Sequence, residues 1–160
     1  MCIRDRYKDG ALYISNDQDD ENDMVDDIVH EIAHACEEQY GEYIYGDNRL
    51  KDEFLGKRNR LYHTLDAEGF KPSEKKFSNT EYDNELDMFL YHGVGYPTLT
   101  SLTMGLFYTP YAATSLKEYF ADGFENYFLR DRDYLKKISP LLCDKIEKLI
   151  EDIEDIGAIN

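Results

Sequence analysis

The segment MVDDIVHEIAHACEEQY, residues 24–40, carries the strongest structural signal in this chain of 160 residues. Its apolar residues recur at the spacing of an amphipathic, half-buried helix, at Met24, Val25, Ile28, Val29, Ile32, Ala33 and Cys36. On such a helix His30 and His34 lie one turn apart on one face, with Glu31 beside them. His-Glu-x-x-His in this setting is typical of two imidazoles that bind Zn²⁺ and a carboxylate directed at its bound water.

The start of this helix lies in an acidic run, DQDDENDMVDD at 17–27. Asn22 or Asp23 is the expected N-cap, with acidic residues in the first turn. The run does not fit a calcium loop, because an EF-hand needs Gly where Asn22 stands and a bidentate Glu where Ile28 stands. We therefore predict a solvated loop and a helix N-terminus. The alternative for the whole motif is a pair of surface histidines on an amphipathic helix.

A third ligand is needed, because catalytic zinc keeps three protein ligands and one open position. The segment SLKEYFADGFENYFL, residues 115–129, has an apolar helical face and carries Glu118 and Asp122 one turn apart. We expect Glu118 to be the third ligand. Asp122 could accept a hydrogen bond from the non-ligating nitrogen of one histidine, which would fix the orientation of that ring. The alternative for both acids is a solvated helix face.

The string YAATSLKEYFADGF, residues 111–124, resembles the second signature of the anthrax lethal factor catalytic domain and of the Pro-Pro endopeptidases. It is also similar to the Mlc titration factor A peptidases. In these families a tyrosine precedes the glutamate ligand by seven residues, and Tyr111 holds that place here. The resemblance implies a gluzincin-type metallopeptidase with one Zn²⁺, whose functional residues would be the ligands His30, His34 and Glu118, the general base Glu31 and the oxyanion donor Tyr111. Asp122 occupies the place of a second acid near the zinc.

These roles predict hydrolysis of peptide bonds. Zinc would lower the pKa of its water, Glu31 would take a proton from it, and Tyr111 would donate a hydrogen bond to the tetrahedral oxyanion. One alternative is a regulatory protein-binding domain that keeps the zinc site with weak or no peptidase activity, in which Glu31→Gln would leave biological function intact. Another is a catalytically dead structural domain, or a fragment too short to fold.

Length and patterning predict a single α+β domain over residues 7–156, mostly helical with a small sheet, and the resemblance implies that its fold is zincin-like. The resemblance covers about residues 24–40 and 108–150, and the long separation between them makes about 46–105 a helical elaboration. A net charge of −16 excludes nucleic acid and anionic membranes as partners. No apolar run is long enough to cross a membrane. The expected partner is a protein or peptide substrate, and the expected state is a monomer.

The opening MCIRDR, residues 1–6, reads as a translated sequencing adapter. We interpret it as non-native, so that the natural beginning and any upstream strands or secretion signal are lost. The alternative is a genuine, frayed N-terminus. The family resemblance favours secretion, while a cytoplasmic location stays open. Cys36 and Cys143 are expected to be buried thiols rather than a disulfide.

The remaining segments read as one strand and several helices. GALYISN at 10–16 is a candidate half-buried strand, and GVGY at 93–96 reads as a turn. Ser139 and Pro140 would begin a terminal helix that covers the core. His63 and His92 are expected in packing or on the surface. The predicted additional helices span 47–67, 80–92, 97–107 and 139–153.

Overall fold

The structure is a computed structural model that describes residues 6–13 and 20–159, and within these ranges it is mostly helical. Two short strands come first, β1 (Arg6–Lys8) and β2 (Ala11–Tyr13). The α-helices are α1 (Glu21–Tyr45), α2 (Arg49–Ala67), α3 (Glu74–Phe77), α4 (Asn84–Met88), α5 (Tyr96–Leu102), α6 (Leu116–Leu129), α7 (Arg132–Ile138) and α8 (Pro140–Ile159). A π-helix, Phe89–Gly95, joins α4 to α5, and a 3₁₀-helix, Pro110–Ala113, precedes α6.

The N-cap of the long helix α1 is Asp20, two or three residues before the caps expected from the sequence. The carboxylate of Asp20 accepts hydrogen bonds from the backbone N–H groups of Asn22, at 2.7 Å, and Asp23, at 3.0 Å. Asn22 and Asp23 therefore lie in the first turn, and the prediction of either as the N-cap is wrong. Asp20 satisfies two of the N–H groups that a helix start leaves without a partner.

The predicted strand at 10–16 is confirmed at β2, which pairs antiparallel with β1 so that Arg6 lies opposite Tyr13. Asp9 and Gly10 both have positive φ, as a two-residue hairpin turn requires. The expected half-burial is wrong, since all three residues of β2 are exposed. Residues 14–16 of that prediction, residues 17–19 of the acidic run and residues 1–5 lie outside the described residues.

Helix α6 lies at the centre of the core and contacts α1, α2, α7 and α8. Its residue Tyr119 is 1% exposed and packs at 5.4 Å, between ring centroids, from Phe54 of α2. The hydroxyl of Tyr119 donates to Glu53, whose carboxylate also accepts from the backbone N–H of Leu141 and Leu142. An acid at this position satisfies the free N–H groups at the start of α8, where Pro140 stands as predicted.

Helix α2 also buries a cation, Lys57. Its ammonium donates to the carbonyl oxygens of Leu106 and Ile138, both at 2.7 Å, and to the hydroxyl of Ser139 at 2.5 Å. Burial disfavours the charged form and lowers the pKa of Lys57 to about 8. These bonds tie α2 to the chain ahead of the 3₁₀-helix and to the junction of α7 and α8.

The middle of the chain differs from the prediction in its details. The helix expected at 80–92 is present as α4 and the π-helix. The π-helix extends into the turn expected at 93–96, and the backbone leaves the helical region there only at Gly95, where φ is +88°. The helix expected at 97–107 ends at Leu102. Helix α7 was not anticipated; Asp131 caps it by accepting from the N–H of Tyr134.

Gly123 tests the packing of α6 against α8. A methyl group at this position would lie 2.8 Å from Cγ of the buried Leu142 and closer still to Cδ2. We expect Gly123→Ala to lower the free energy of unfolding in urea by about 1–3 kcal/mol, because α6 and α8 must separate. Gly56 of α2 is exposed with nothing near its Cβ direction. Gly56→Ala should instead raise that free energy by about 0.5–1 kcal/mol. The same sign for both would contradict the close contact.

Candidate functional site

The contact between α1 and α6 brings the predicted residues together. His30 and His34 lie one turn apart on α1, and Glu118 lies in the first turn of α6. That turn is fixed by Ser115, whose hydroxyl accepts a hydrogen bond from the backbone N–H of Glu118 at 3.1 Å. The three side chains, called here the His–His–Glu group, come from two segments that are far apart in the sequence and meet at one point.

The distances within the His–His–Glu group are those of converging ligands. Nε2 of His30 lies 2.9 Å from Oε2 of Glu118, and Nε2 of His34 lies 3.5 Å from Oε1. The two imidazole rings are 5.1 Å apart and nearly perpendicular, at 81°. One ligand atom from each residue lies within 4.8 Å of the others, so the group could hold a metal ion.

The opposite nitrogens of both imidazoles face carboxylates. Nδ1 of His30 lies 3.2 Å from Oε2 of Glu125, and Nδ1 of His34 lies 2.6 Å from Oε2 of Glu37. A carboxylate only accepts, so each Nδ1 is suited to donate to its outer acid, while each Nε2 is directed at Glu118, where it would bind an ion in its unprotonated form. Histidines that bind metals commonly have this arrangement, in which the partner fixes the tautomer and the ring orientation.

Each of these outer carboxylates is itself held in place. The hydroxyl of Tyr45, at the end of α1, donates to the second oxygen of Glu37. Arg130, at the end of α6, lies 3.5 Å from Oε1 of Glu125 and 2.6 Å from Oδ2 of Asp26 on α1. Arg130 therefore supports the partner of His30 and also joins the end of α6 to α1.

The sequence predicted that Asp122 would accept a hydrogen bond from the non-ligating nitrogen of a histidine, but Glu125 and Glu37 do so. Asp122 is 6% exposed and accepts a hydrogen bond from Oγ1 of Thr109 at 2.6 Å, not from a histidine. Glu37 follows His34 by three residues and Glu125 follows Glu118 by seven, which are both same-face helical spacings. A search for acids at those spacings would have added both as candidates, without choosing between them and Asp122.

The electrostatics of the His–His–Glu group are those of a carboxylate between two imidazoles. Burial opposes charge on His30 and His34, but hydrogen bonds to Glu118 and to the outer carboxylates outweigh it and raise both pKa values. Burial would raise the pKa of Glu118, and the hydrogen bonds from the two histidines lower it instead. Positive charge at this point is therefore strongly favoured, which a divalent cation would also supply.

The two remaining predicted residues are Glu31 and Tyr111. Glu31 follows His30 on α1 and is 4% exposed. The half-buried ring of Tyr111, in the 3₁₀-helix, has its centroid 6.4 Å from that of His30. Burial and the negative charge of Glu118 raise the pKa of Tyr111, so its phenol stays protonated and can donate a hydrogen bond.

No family model, curated protein or solved structure matches this chain. The residue types and the converging Nε2 atoms are compatible with a metal ion held by His30, His34 and Glu118.

Other sequence expectations have their outcomes in the same structure. His63 and His92 pack against the neighbouring rings of Tyr62 and Tyr91, away from the His–His–Glu group. Cys36 and Cys143 are free thiols, half-buried and buried. Among the described residues, no helix combines the length and the apolar character needed to cross a membrane.

The role of Glu37 can be tested through metal affinity. We expect Glu37→Gln to weaken Zn²⁺ binding by about 10–100-fold, because His34 loses the charged partner that orients it. Competition with a chromophoric chelator measures this affinity. Glu38 is the next residue along α1 but is exposed. Glu38→Gln is therefore the matched control and should bind Zn²⁺ like the wild type; equal affinities in all three proteins would contradict the role of Glu37.

Asp122 predicts a pH dependence of stability. Burial raises its pKa from 3.8 to about 7, against the opposing hydrogen bond from Thr109. Between pH 3.8 and about 7 the Asp122 carboxyl is protonated in the folded state and ionised in the unfolded state, so the free energy of unfolding falls as pH rises. In the presence of a chelator, we expect the free energy of unfolding of the wild type, relative to Asp122→Asn, to fall between pH 4 and 7 by up to about 1.4 kcal/mol per unit. Parallel curves for the two proteins would contradict the shifted pKa.

Proposed function

We propose that this chain is a zinc-dependent endopeptidase with a zincin-like fold built around α1 and α6. One observation carries the proposal: both imidazoles direct Nε2 at Glu118 while their Nδ1 atoms face Glu125 and Glu37. A pair of surface histidines would have no need of two further buried or half-buried acids. The substrate is a protein or peptide.

The donor set favours zinc over the other common cations. Two imidazole nitrogens and one carboxylate are the ligands of catalytic zinc in many peptidases, whereas calcium and magnesium prefer oxygen ligands alone. His30, His34 and Glu118 would hold the ion. When bound, zinc would supply a water of lowered pKa and would polarise the scissile carbonyl.

The remaining steps belong to the side chains of the chain itself. Glu31, the residue after the ligand His30, would take a proton from the attacking water and return it to the leaving amine. Tyr111 stays protonated and half-buried next to His30, so it can donate a hydrogen bond to the oxygen that gains negative charge. The buried surroundings strengthen that interaction relative to water.

The sequence resemblance gives independent support. Tyr111 precedes Glu118 by seven residues, as in the lethal factor-like peptidases, the Pro-Pro endopeptidases and the Mlc titration factor A peptidases. The same resemblance supports the assignment of Glu31 as the base. The long segment between the two motifs departs from those families, so cleavage preference is not carried over from them.

The proposal is tested by metal content and by cleavage of a diverse peptide library, with wild type and Glu31→Gln compared. We expect one zinc ion per chain in both proteins and cleavage by the wild type alone, with a loss of about a hundredfold or more in the variant. His34→Ala should lose the zinc. His63→Ala is the matched histidine control and should keep both zinc and cleavage.

The other outcomes separate the alternatives. Stoichiometric zinc without cleavage by either protein would support a regulatory protein-binding domain that retains the metal site. Cleavage that survives Glu31→Gln would remove Glu31 as the base. A wild-type protein that binds no zinc would overturn the proposed function.

A further inference from the structure

Tyr111 lies on an element too short to position itself. The 3₁₀-helix Pro110–Ala113 has four residues, and helices of this kind have poor internal hydrogen bonds. At its ends the N–H of Ala112 donates to the carbonyl of Thr109, and both the N–H and the hydroxyl of Thr114 donate to the carbonyl of Tyr111. The place of the Tyr111 phenol therefore depends on what holds the two ends of this turn.

The first end is held by helix α6. Thr109, the N-cap residue of the 3₁₀-helix, donates its hydroxyl to Oδ1 of Asp122 at 2.6 Å. Asp122 is buried and lies one turn after Glu118 on α6. One rigid helix thus carries both the acid of the His–His–Glu group and the acid that holds the start of the turn.

The second end is held by a buried cation of α2. Arg58 is 0% exposed, and its Nε and Nη2 donate to the carbonyl oxygens of Ala113 and Thr114 at 2.5 and 2.8 Å. In the parts of the chain that the structure describes, no carboxylate forms an ion pair with Arg58. A buried guanidinium without a counter-charge is costly unless its N–H groups are satisfied, so these carbonyl bonds are what keeps it there.

The third nitrogen of the same guanidinium reaches a different segment. Nη1 of Arg58 lies within 3.2–3.4 Å of three backbone carbonyls around α3, those of Lys76, Phe77 and Asn79. The next carbonyl, of Thr80, accepts from the N–H of Leu116 at the start of α6 at 2.9 Å. The segment 76–80 therefore backs the turn of Tyr111, and Arg58 joins the two.

We propose that Thr109, Asp122 and Arg58 are positioning residues that fix the Tyr111 phenol beside His30 and Glu118. The region 46–105 then serves the site by supplying the support on which the tyrosine turn rests. The effect on turnover rests on the proposed function, in which Tyr111 donates to the oxyanion. The claim that these bonds order the turn does not rest on the proposed function.

Thr109→Val tests the bond to Asp122, and Thr109→Ser is the matched variant that restores the hydroxyl. We expect Thr109→Val to lower kcat by about tenfold, because a small displacement of a hydrogen-bond donor is costly in the transition state. KM and the affinity for Zn²⁺ should not change, since the ligands lie on α1 and α6. Thr109→Ser should retain the wild-type kcat. An unchanged kcat in Thr109→Val would overturn the proposal.

The same substitution in a Tyr111→Phe background isolates the role of the phenol. Without the phenol there is nothing to misplace, so Thr109→Val should cause no further loss there. An equal loss in both backgrounds would show that Thr109 acts elsewhere and would overturn the proposal. A Tyr111→Phe protein with full activity would remove the oxyanion role from the proposed function.

Hydrogen exchange of the backbone gives a readout that needs no activity. We expect faster exchange at Ala112 and Thr114 in Thr109→Val and wild-type exchange in Thr109→Ser. Arg58→Lys keeps the charge but has fewer donors, and it should also speed exchange at Thr114. Wild-type exchange in Thr109→Val would overturn the proposal even for a protein that cleaves no peptide. Faster exchange in that inactive case would support the positioning while the proposed function fails.

Discussion

The contact between α1 and α6 is the constraint on which the rest of the structure depends, because it gathers acidic side chains around two imidazoles. Glu118 and Glu125 bond directly to His30, Glu37 bonds to His34, and Asp122 is buried on the same helix as Glu118. In a chain of net charge −16, such a concentration of buried carboxylates is unfavourable unless positive charge balances it. The raised pKa values of His30 and His34 reflect this preference for positive charge. A divalent cation at the same point would supply that charge and displace protons from the imidazoles.

The parts of the site that could be predicted are those set by helical periodicity. His30, Glu31 and His34 lie on one helix because the apolar residues around them recur with the helical period. Tyr111 and Glu118 are only seven residues apart, so a short turn and one cap residue suffice to keep both at the same site. The identity of the outer acids could not be obtained in the same way. Asp122, Glu125 and Glu37 all have suitable spacing, and the rotation of α6 relative to α1 decides which of them faces an imidazole nitrogen.

The differences in the fold have similar physical causes. GVGY at 93–96 has the composition of a turn, yet Leu90 and Val94 of the π-helix are buried, and this burial carries the helix past Gly93. Only Gly95, with φ of +88°, leaves the helical region. The start of α1 offers several acids that can cap equally well, and Asp20 is selected because the backbone is extended there. Local sequence identifies such candidates, while tertiary packing chooses among them.

The site also divides its tasks between rigid and short elements. Metal ligands and a general base need fixed spacing, which two long helices provide through residues one turn apart. A donor to the oxyanion has to approach the substrate from another direction, and here it comes from a four-residue 3₁₀-helix. An element this short has little stability of its own, so its conformation depends on bonds to the rest of the protein. The guanidinium of Arg58 on α2 supplies two of them, to the carbonyls of Ala113 and Thr114. Arg58 has no acidic partner among the residues that the structure describes, so its burial would be unfavourable if it served stability alone, and it is explained by the bonds that hold this turn against the core.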